Sequence, residues 1–308
     1  MKNENGATLP SPAQGRLLVA LAAILWSLSG AFTKLLTKET ALHLDQPEIS
    51  GLLIAFYRAL FAGLVLLPSL RRRDLSFRGA MIATAFSFAV MNALYVLAMA
   101  LGSAANAVLL QYTAPMWMYL ASVWWLGEPA DRRSSVSLVI GLLGIAVILW
   151  GGWEDAQLPV IAIALGSGFA YAGVILGLRV LRDASPRWLT IVNHLSGALL
   201  LLPFVCFAAR QVPSLPQLAL LFLFGSVQMA LPYWLVARGL RVVSPQEAGT
   251  ITLLEPLLNP LWAYLVSPKS EAPKIYTLAG GACILGALAW RYWPRRRRTG
   301  QKVPDAAY

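Results

Sequence analysis

Leu64-Val65-Leu66-Leu67-Pro68-Ser69-Leu70-Arg71-Arg72-Arg73-Asp74-Leu75-Ser76-Phe77-Arg78-Gly79-Ala80 joins two long apolar runs through a link that holds four arginines. A helix of about 20 apolar residues spans the hydrocarbon core of a bilayer, and links that stay in the cytoplasm collect Lys and Arg. Working outward, every second link repeats this pattern. Nineteen of the 25 Lys and Arg fall on one set: Lys2 and Arg16; Arg71 to Arg73 and Arg78; Arg132 and Arg133; Arg179, Arg182 and Arg187; Arg238 and Arg241; then Arg291, Arg295 to Arg298 and Lys302. The other links hold only Lys34, Lys38, Arg210, Lys269 and Lys274, and Arg58 alone sits in the middle of an apolar stretch. The alternation predicts an all-α membrane protein with ten crossings and both termini in the cytoplasm.

The predicted helices run from about Arg16 to Thr37, Pro47 to Pro68, Phe77 to Leu101, Ser103 to Leu126 and Ser135 to Trp150 in the first half. In the second half they run from about Leu158 to Leu181, Pro186 to Ala208, Gln217 to Ala237, Ser244 to Val266 and Pro273 to Tyr292. Gly127-Glu128-Pro129 supplies a helix stop, with glycine at the end and proline beyond it. The predicted organisation is a polar tail at 1–15, one five-helix unit at 16–151, a second at 157–293 and a basic tail at 294–308.

Composition excludes several classes. At 58% hydrophobic and 13% charged residues, the chain is too apolar for an ordinary soluble domain. Its net charge of +11 does not indicate nucleic acid, because the basic residues are spread over separate links. Pro294 to Arg298 suits anionic lipid headgroups at a helix end. Cys206 and Cys283 lie in separate apolar stretches without CxxC spacing, which suits packing thiols rather than a metal or redox site. With two His and no Cys cluster, no metal centre or cofactor is expected. The first apolar run is long enough to span and lacks a cleavage motif, so it is expected to be a helix rather than a signal peptide. No Walker A pattern is present, so direct ATP drive is not expected.

Five crossings per half is an odd number, so the halves enter the membrane from opposite sides and any repeat between them is inverted. A trace of one is visible. Ala107 lies eight residues before Pro115, and Ala248 eight before Pro256, each on the fourth helix of its half. Inverted repeats are a transporter signature, because rocking one half against the other exposes a midplane site alternately.

The stretch Ala98 to Glu128, with Ser103-Ala104-Ala105-Asn106-Ala107, Tyr112, Pro115 and Gly127-Glu128, resembles the EamA domain. Gln246-Glu247-Ala248 through Leu254-Glu255-Pro256 and Pro260 resembles it again, and Trp26, Gly30, Lys34 and Arg58 also fit the family pattern. The resemblance spans Arg16 to Trp293 as two tandem domains of the drug/metabolite transporter superfamily. It implies ten helices in two inverted five-helix repeats around a central cavity, and export of amino acids, nucleosides or toxic solutes, with some importers. Ser267-Pro268-Lys269-Ser270-Glu271 departs from the Gly-Glu usual at the end of the second domain's fourth helix, which predicts a rebuilt loop.

A charge at the bilayer centre costs about 2.5–3.5 kcal/mol on insertion scales, so it needs a partner or a task. Arg58 and Glu255 are the two full charges placed this deep. Glu255 has two readings: a proton carrier, since an apolar cavity disfavours its charged form, or a fixed carboxylate paired with Arg58 or a helix end. Arg58 either grips a substrate carboxylate through its planar fork or ties helices through backbone carbonyls. Gln111 and Tyr112 precede Pro115 by about a turn, where proline frees a backbone carbonyl, and Pro256 is the matching helix break. Asn92, Tyr95, Tyr171 and Gln228, with Trp26 and Trp234 as stacking surfaces, complete the candidate cavity; Asn193, His194 and Asn259 are further deep polar residues. Lys34 is expected to snorkel to the interface. Trp124, Trp125, Trp150, Trp153, Trp188, Trp290 and Trp293 are expected to form the interfacial belt.

The rival class is an intramembrane enzyme, suggested by Gly166-Ser167-Gly168 with His194. The rhomboid form needs Gly at Leu165, and every Asp falls in a link or tail. A non-transporting scaffold leaves the deep polar residues unexplained. The expectation is therefore a secondary transporter of a small organic metabolite, directed outward, in a bacterial inner membrane. Lipid is its solvent, protons are a candidate coupling ion, and nothing in the sequence specifies an oligomeric state.

Overall fold

The computed structural model describes residues 11–124, 127, 129–154, 157–208, 212–243 and 245–292. The basic run at Arg295 to Arg298, most of both tails, Glu128, Trp125 and Trp293 lie outside the described residues. Among those described, all regular structure is helical.

The first half begins with α1 (Pro12–Ser27) and α2 (Ser29–Thr37), nearly continuous across Leu28. Ser11 starts α1 with a capping box to Gln14 and a proline in the first turn. Then come α3 (Gly51–Leu66), α4 (Gly79–Leu101), α5 (Ala104–Gln111), α6 (Ala114–Trp124) and α7 (Arg132–Glu154). The second half holds α8 (Leu158–Val180), α9 (Pro186–Ala208), α10 (Leu215–Leu223), a π-helical turn over Phe224–Ala230, and α11 (Leu231–Gly239). It ends with α12 (Pro245–Ile251), α13 (Leu254–Val266), the short α14 (Pro268–Glu271) and α15 (Ile275–Tyr292).

Among the described residues, seven segments are long and apolar enough to cross a membrane: Pro12–Thr37, Gly51–Ser69, Gly79–Leu101, Arg132–Gly152, Leu158–Val180, Pro186–Phe207 and Leu215–Gly239. Outside them, apart from the short α14 and a 3-10 turn at Arg72–Asp74, lie the interrupted pairs α5/α6 and α12/α13, together with α15. Both interruptions fall just before a proline, Pro115 or Pro256, which brings no N–H to the preceding turn.

The halves pack mostly against each other. α7 lies along α15, α3 along α9, α4 along α8 and α9, and α1 along α11, while α13 crosses α1, α2 and α5. Gly144 and Gly280 make the α7–α15 contact so close that a Cβ on either would stand about 2.5 Å from the other's carbonyl oxygen. Large apolar side chains on the outer surface (Phe77, Phe86, Phe169, Phe204 and Phe207) are well exposed, as lipid-facing residues are. Trp124 and Trp150 share that exposure near helix ends. Cys206 is exposed there too, so the expectation of core packing fails for this thiol, whereas Cys283 is half-buried.

Lys34 is not at the interface. The structure buries it completely, with Nζ 2.6 Å from Oε1 of Glu271 and 2.6 Å from the carbonyl of Gly102. Glu271 in turn accepts the Ala104 N–H at 2.8 Å and so caps α5. Snorkelling fails because the Gly102-Ser103 turn and the rebuilt Ser267–Glu271 loop close over the end of α2, offering a carbonyl and a carboxylate in place of water. Breaking a buried pair by removing one partner costs about 3–5 kcal/mol, whereas replacing both with apolar residues is often neutral. Glu271→Leu is therefore expected to lower the unfolding temperature in detergent sharply, and Lys34→Met/Glu271→Leu to recover much of the loss. An unchanged transition in the single variant would mean that the Gly102 carbonyl suffices for Lys34.

Candidate functional site

The two interrupted helices meet at the centre of the bundle. Pro256 deprives the Thr252 carbonyl of its usual i+4 donor, and that oxygen instead accepts the Glu255 N–H at 3.0 Å and the Tyr112 hydroxyl at 2.9 Å. The same hydroxyl lies 2.8 Å from Oε2 of Glu255. Tyr112 comes from the break between α5 and α6, so each broken turn holds the other. Gly168 on α8 lets that break approach closely: a Cβ there would sit 2.6 Å from the Leu110 carbonyl and 2.7 Å from Oγ1 of Thr113.

A second pair of irregularities faces the first. The Trp26 carbonyl, at the α1/α2 junction, accepts from Gln228 Nε2 at 2.8 Å. Gln228 stands in the π turn before Pro232, the kind of one-residue insertion that helices keep at functional sites. Ser29 links Tyr95 (3.0 Å) to Asn259 (2.7 Å) beside the same junction.

Between these elements lies a cavity of about 90 Å³, bordered by Trp26, Arg58, Met91, Tyr95, Gln111, Tyr112, Tyr171, Gln228, Met229, Tyr233 and Glu255. Eight residues singled out in the sequence (Trp26, Arg58, Tyr95, Gln111, Tyr112, Tyr171, Gln228 and Glu255) thus come together. Asn92 sits behind this wall: its Oδ1 accepts Arg58 Nε at 3.2 Å and Nη2 at 2.8 Å, while its Nδ2 donates to the Ala55 carbonyl at 2.9 Å. Trp234 is not brought in. It is 44% exposed and stacks under Arg238, 4.8 Å from guanidinium carbon to ring centre. Its neighbour Tyr233, unremarked in the sequence, borders the cavity instead.

The two deep charges differ in how they are held. Arg58 is 2% exposed and lies over the rings of Phe224 (5.2 Å) and Tyr95 (5.7 Å), yet its Nη1 has no hydrogen-bond partner. Among the described residues, Arg58 and Glu255 form no ion pair; Glu255 is held by Tyr112. Tyr112 has one proton for two acceptors, Thr252 and Glu255, when the carboxylate is ionised. A carboxylic acid at Glu255 donates to Tyr112, frees that proton for Thr252 and satisfies all three oxygens.

At the end carrying the basic links, a vestibule of about 860 Å³ runs between Arg71, Arg187 and Arg241 at its mouth and Phe88, His194 and Tyr233 inside. Tyr233 borders both vestibule and central cavity. Drug-sized ligands occupy about 300–1,000 Å³, so the vestibule has room for a metabolite and the central cavity, as it stands, does not. The opposite end is where Lys34 and Glu271 close the bundle. Ser167 spends its hydroxyl on the Ala164 carbonyl (2.7 Å), and His194 Nδ1 meets the Thr190 carbonyl (2.8 Å), so no Ser–His pair forms.

A multi-pass helical bundle in two tandem halves around a polar, charge-bearing cavity defines a membrane transporter of small metabolites. The chain belongs to the EamA-like transporter family, whose profile matches residues 13–150 and 158–292. An uncharacterised transporter of Archaeoglobus fulgidus is 30% identical over 285 residues, covering 90% of this chain and 96% of its own. A riboflavin transporter of Rhizobium johnstonii is 29% identical, covering 93% and 95%. A protein of known crystal structure superposes with a TM-score of 0.63 at 16% identity, over 91% of this chain and 98% of its own, which shows a shared fold.

Asn92 is expected to be the positioning residue for Arg58. Asn92→Leu strips the buried guanidinium of its acceptor, a loss costing about 1–3 kcal/mol, and takes from the Ala55 carbonyl a donor beyond that of its own helix. Thermal unfolding in detergent should show a large drop, and Asn92→Asp, which keeps an acceptor for Arg58, a smaller one. Equal drops would assign the cost to Ala55 rather than to Arg58.

Proposed function

We propose that this protein is a secondary transporter that moves a small organic metabolite outward by alternating access, through ten crossings arranged as two inverted five-helix repeats divided at 16–151 and 157–293. The observation that carries this reading is the polar cavity where the two broken helices cross, with Arg58 on one side and Glu255 on the other. The packing pattern supports the repeat. Exchanging each helix of one half for its counterpart in the other turns the α4–α8 contact into α11–α1, and α5/α6–α8 into α12/α13–α1, and all of these contacts are present.

The basic links set the vestibule in the cytoplasm under the positive-inside rule, with both termini on that side of a bacterial inner membrane. The state described is then open inward to Tyr233 and closed outward by Lys34 and Glu271. Solute entering from the cytoplasm passes Tyr233 into a site that must widen around it. There Arg58 Nη1, a free donor, takes a carboxylate or carbonyl of the substrate. Gln111, Tyr171 and Tyr95 supply further polar and aromatic contacts. Asn92 holds Arg58 in place, and Trp26 closes one wall.

Glu255 is the proton site. Its protonated form completes the hydrogen bonds to Tyr112 and Thr252, and its ionised form leaves one of them unmade. Proton loading and release therefore change how firmly the two broken helices hold each other, which couples a gradient to their relative movement.

Flux in proteoliposomes across a panel of amino acids, nucleosides and cationic drugs, with and without a pH gradient, tests the reading. Saturable flux of one class is expected, and its absence from folded protein for the whole panel would count against it. Glu255→Gln is expected to abolish gradient-driven accumulation while leaving solute exchange; unchanged accumulation would end the proton-site assignment. Arg58→Lys should weaken acidic and zwitterionic solutes selectively, since an ammonium cannot reproduce the planar fork. An equal loss for neutral solutes would make Arg58 structural.

A further inference from the structure

The rim of the vestibule carries charge that topology alone does not explain. Arg71 comes from the α3–α4 link, Arg187 from the start of α9 and Arg241 from the α11–α12 link, yet all three border both the 860 Å³ vestibule and the adjoining recess of about 370 Å³. The positive-inside rule accounts for arginines in each link, but not for three of them converging on one mouth. Among the described residues, none of the three has a carboxylate within 4.0 Å. Asp183 is shared by Arg78 (3.8 Å) and Arg182 (3.9 Å), and Asp74 accepts the backbone N–H of Arg71 at 3.0 Å and feels the charges of Arg187 and Arg73. Asp74 also lines the vestibule, against Arg71, Arg73, Arg182, Arg187 and Arg241, and such an excess of one charge around a cleft with low-dielectric walls concentrates counter-ions.

Deeper in, the walls change character. The His194 ring packs against Phe88 (4.7 Å between ring centres) and meets Tyr233 edge-on (5.3 Å). Because the Thr190 carbonyl can only accept, His194 Nδ1 carries a hydrogen. In the neutral ring Nε2 is then an acceptor, and it is buried without a partner. A ligand that fits such a space presents an anionic group outward and a flat ring inward.

We propose that the vestibule is a binding site for a soluble aromatic organic anion, its phosphate or carboxylate held by Arg71, Arg187 and Arg241 and its ring seated against Phe88, His194 and Tyr233. This rests on the reading that solute reaches the central cavity past Tyr233, and it names the substrate class as anionic and aromatic. The rim acts before translocation: it gathers the anion from the cytoplasm and orients its ring towards Tyr233.

Ligand-observed NMR on the full-length protein in phosphatidylcholine nanodiscs tests this, with phenyl phosphate as probe and benzyl alcohol and inorganic phosphate as controls. Phenyl phosphate is expected to bind saturably and more tightly than either control. Arg71→Gln/Arg187→Gln/Arg241→Gln is expected to weaken it about tenfold or more and to leave thermal stability unchanged, since all three side chains are exposed. Equal binding of benzyl alcohol, or undiminished binding by the triple variant, would overturn the cationic rim. Equal binding of inorganic phosphate would overturn the aromatic seat. Loss of phenyl phosphate binding when phosphatidylglycerol enters the nanodisc would assign the rim to lipid headgroups instead. Arg58→Lys should keep vestibule binding, and absence of phenyl phosphate flux through the unaltered protein in proteoliposomes, with binding intact, counts against the transport reading and not against this site.

Discussion

Every backbone carbonyl that a broken helix releases inside a membrane must find another donor, because hydrocarbon offers none. That constraint organises the centre of this protein. Pro256 releases the Thr252 carbonyl and Tyr112 answers it; the α1/α2 junction releases the Trp26 carbonyl and Gln228 answers it. Each donor reaches over from the opposite half of the chain. The breaks therefore cannot be read as local defects. Each of these bonds across the chain holds only while the two halves keep one relative position, and the rocking movement proposed above would exchange them for others.

Buried charge follows the same logic with larger stakes. Lys34 and Glu271 are fully paired and each also meets a backbone group, so both are compensated on every side the loop can reach. Arg58 is compensated on one side only: Asn92 takes two of its nitrogens, aromatic faces cover the ion, and Nη1 is left over. A structural arginine gains by filling that last valence, and the nearby Glu255 does not fill it. An incomplete set of partners in a cavity wall is what a binding group needs, since a substrate that supplies the missing acceptor gains a bond the protein was not already making.

Much of this layout was legible in the residues, and the misses have physical causes. Helix ends from Leu158 to Val180 and from Pro186 to Ala208 follow from apolar run length and flanking turn residues. The convergence of Arg58, Gln111, Tyr112 and Glu255 follows from the cost of burying polar groups, which leaves few places for them except a shared cavity. Trp234 is singled out by its depth in a helix, and depth does not say which face a residue presents. A regular α-helix puts Pro232 on the face of Gln228, four residues on; the π turn over Phe224–Ala230 shifts that face towards Tyr233, which borders the cavity while Trp234 points away from it. Lys34 was misjudged because its partners lie 68 and 237 positions away, at Gly102 and Glu271. Side-chain reach predicts snorkelling only when the helix end is open to water, and closure by a distant loop is a tertiary fact.

The two ends of the bundle are unlike in a way that bears on the cycle. One is shut by a compact, desolvated ion pair whose separation requires both ions to be rehydrated together. The other is ringed by exposed arginines, and the ion pairs found there, Arg16–Glu247, Arg78–Asp183 and Arg182–Asp183, are already in water. On the alternating-access reading proposed above, opening the first end is the costly half of the cycle, and something bound in the centre has to offset it. Arg58 and Glu255 lie between the two ends: α3 carries Arg58, and α13 runs from Glu255 to Ser267, beyond which the short α14 holds Glu271. If Glu255 is the proton site proposed above, a change of hydrogen bonding there has one helix and one turn to cross before it meets the ion pair that closes the bundle.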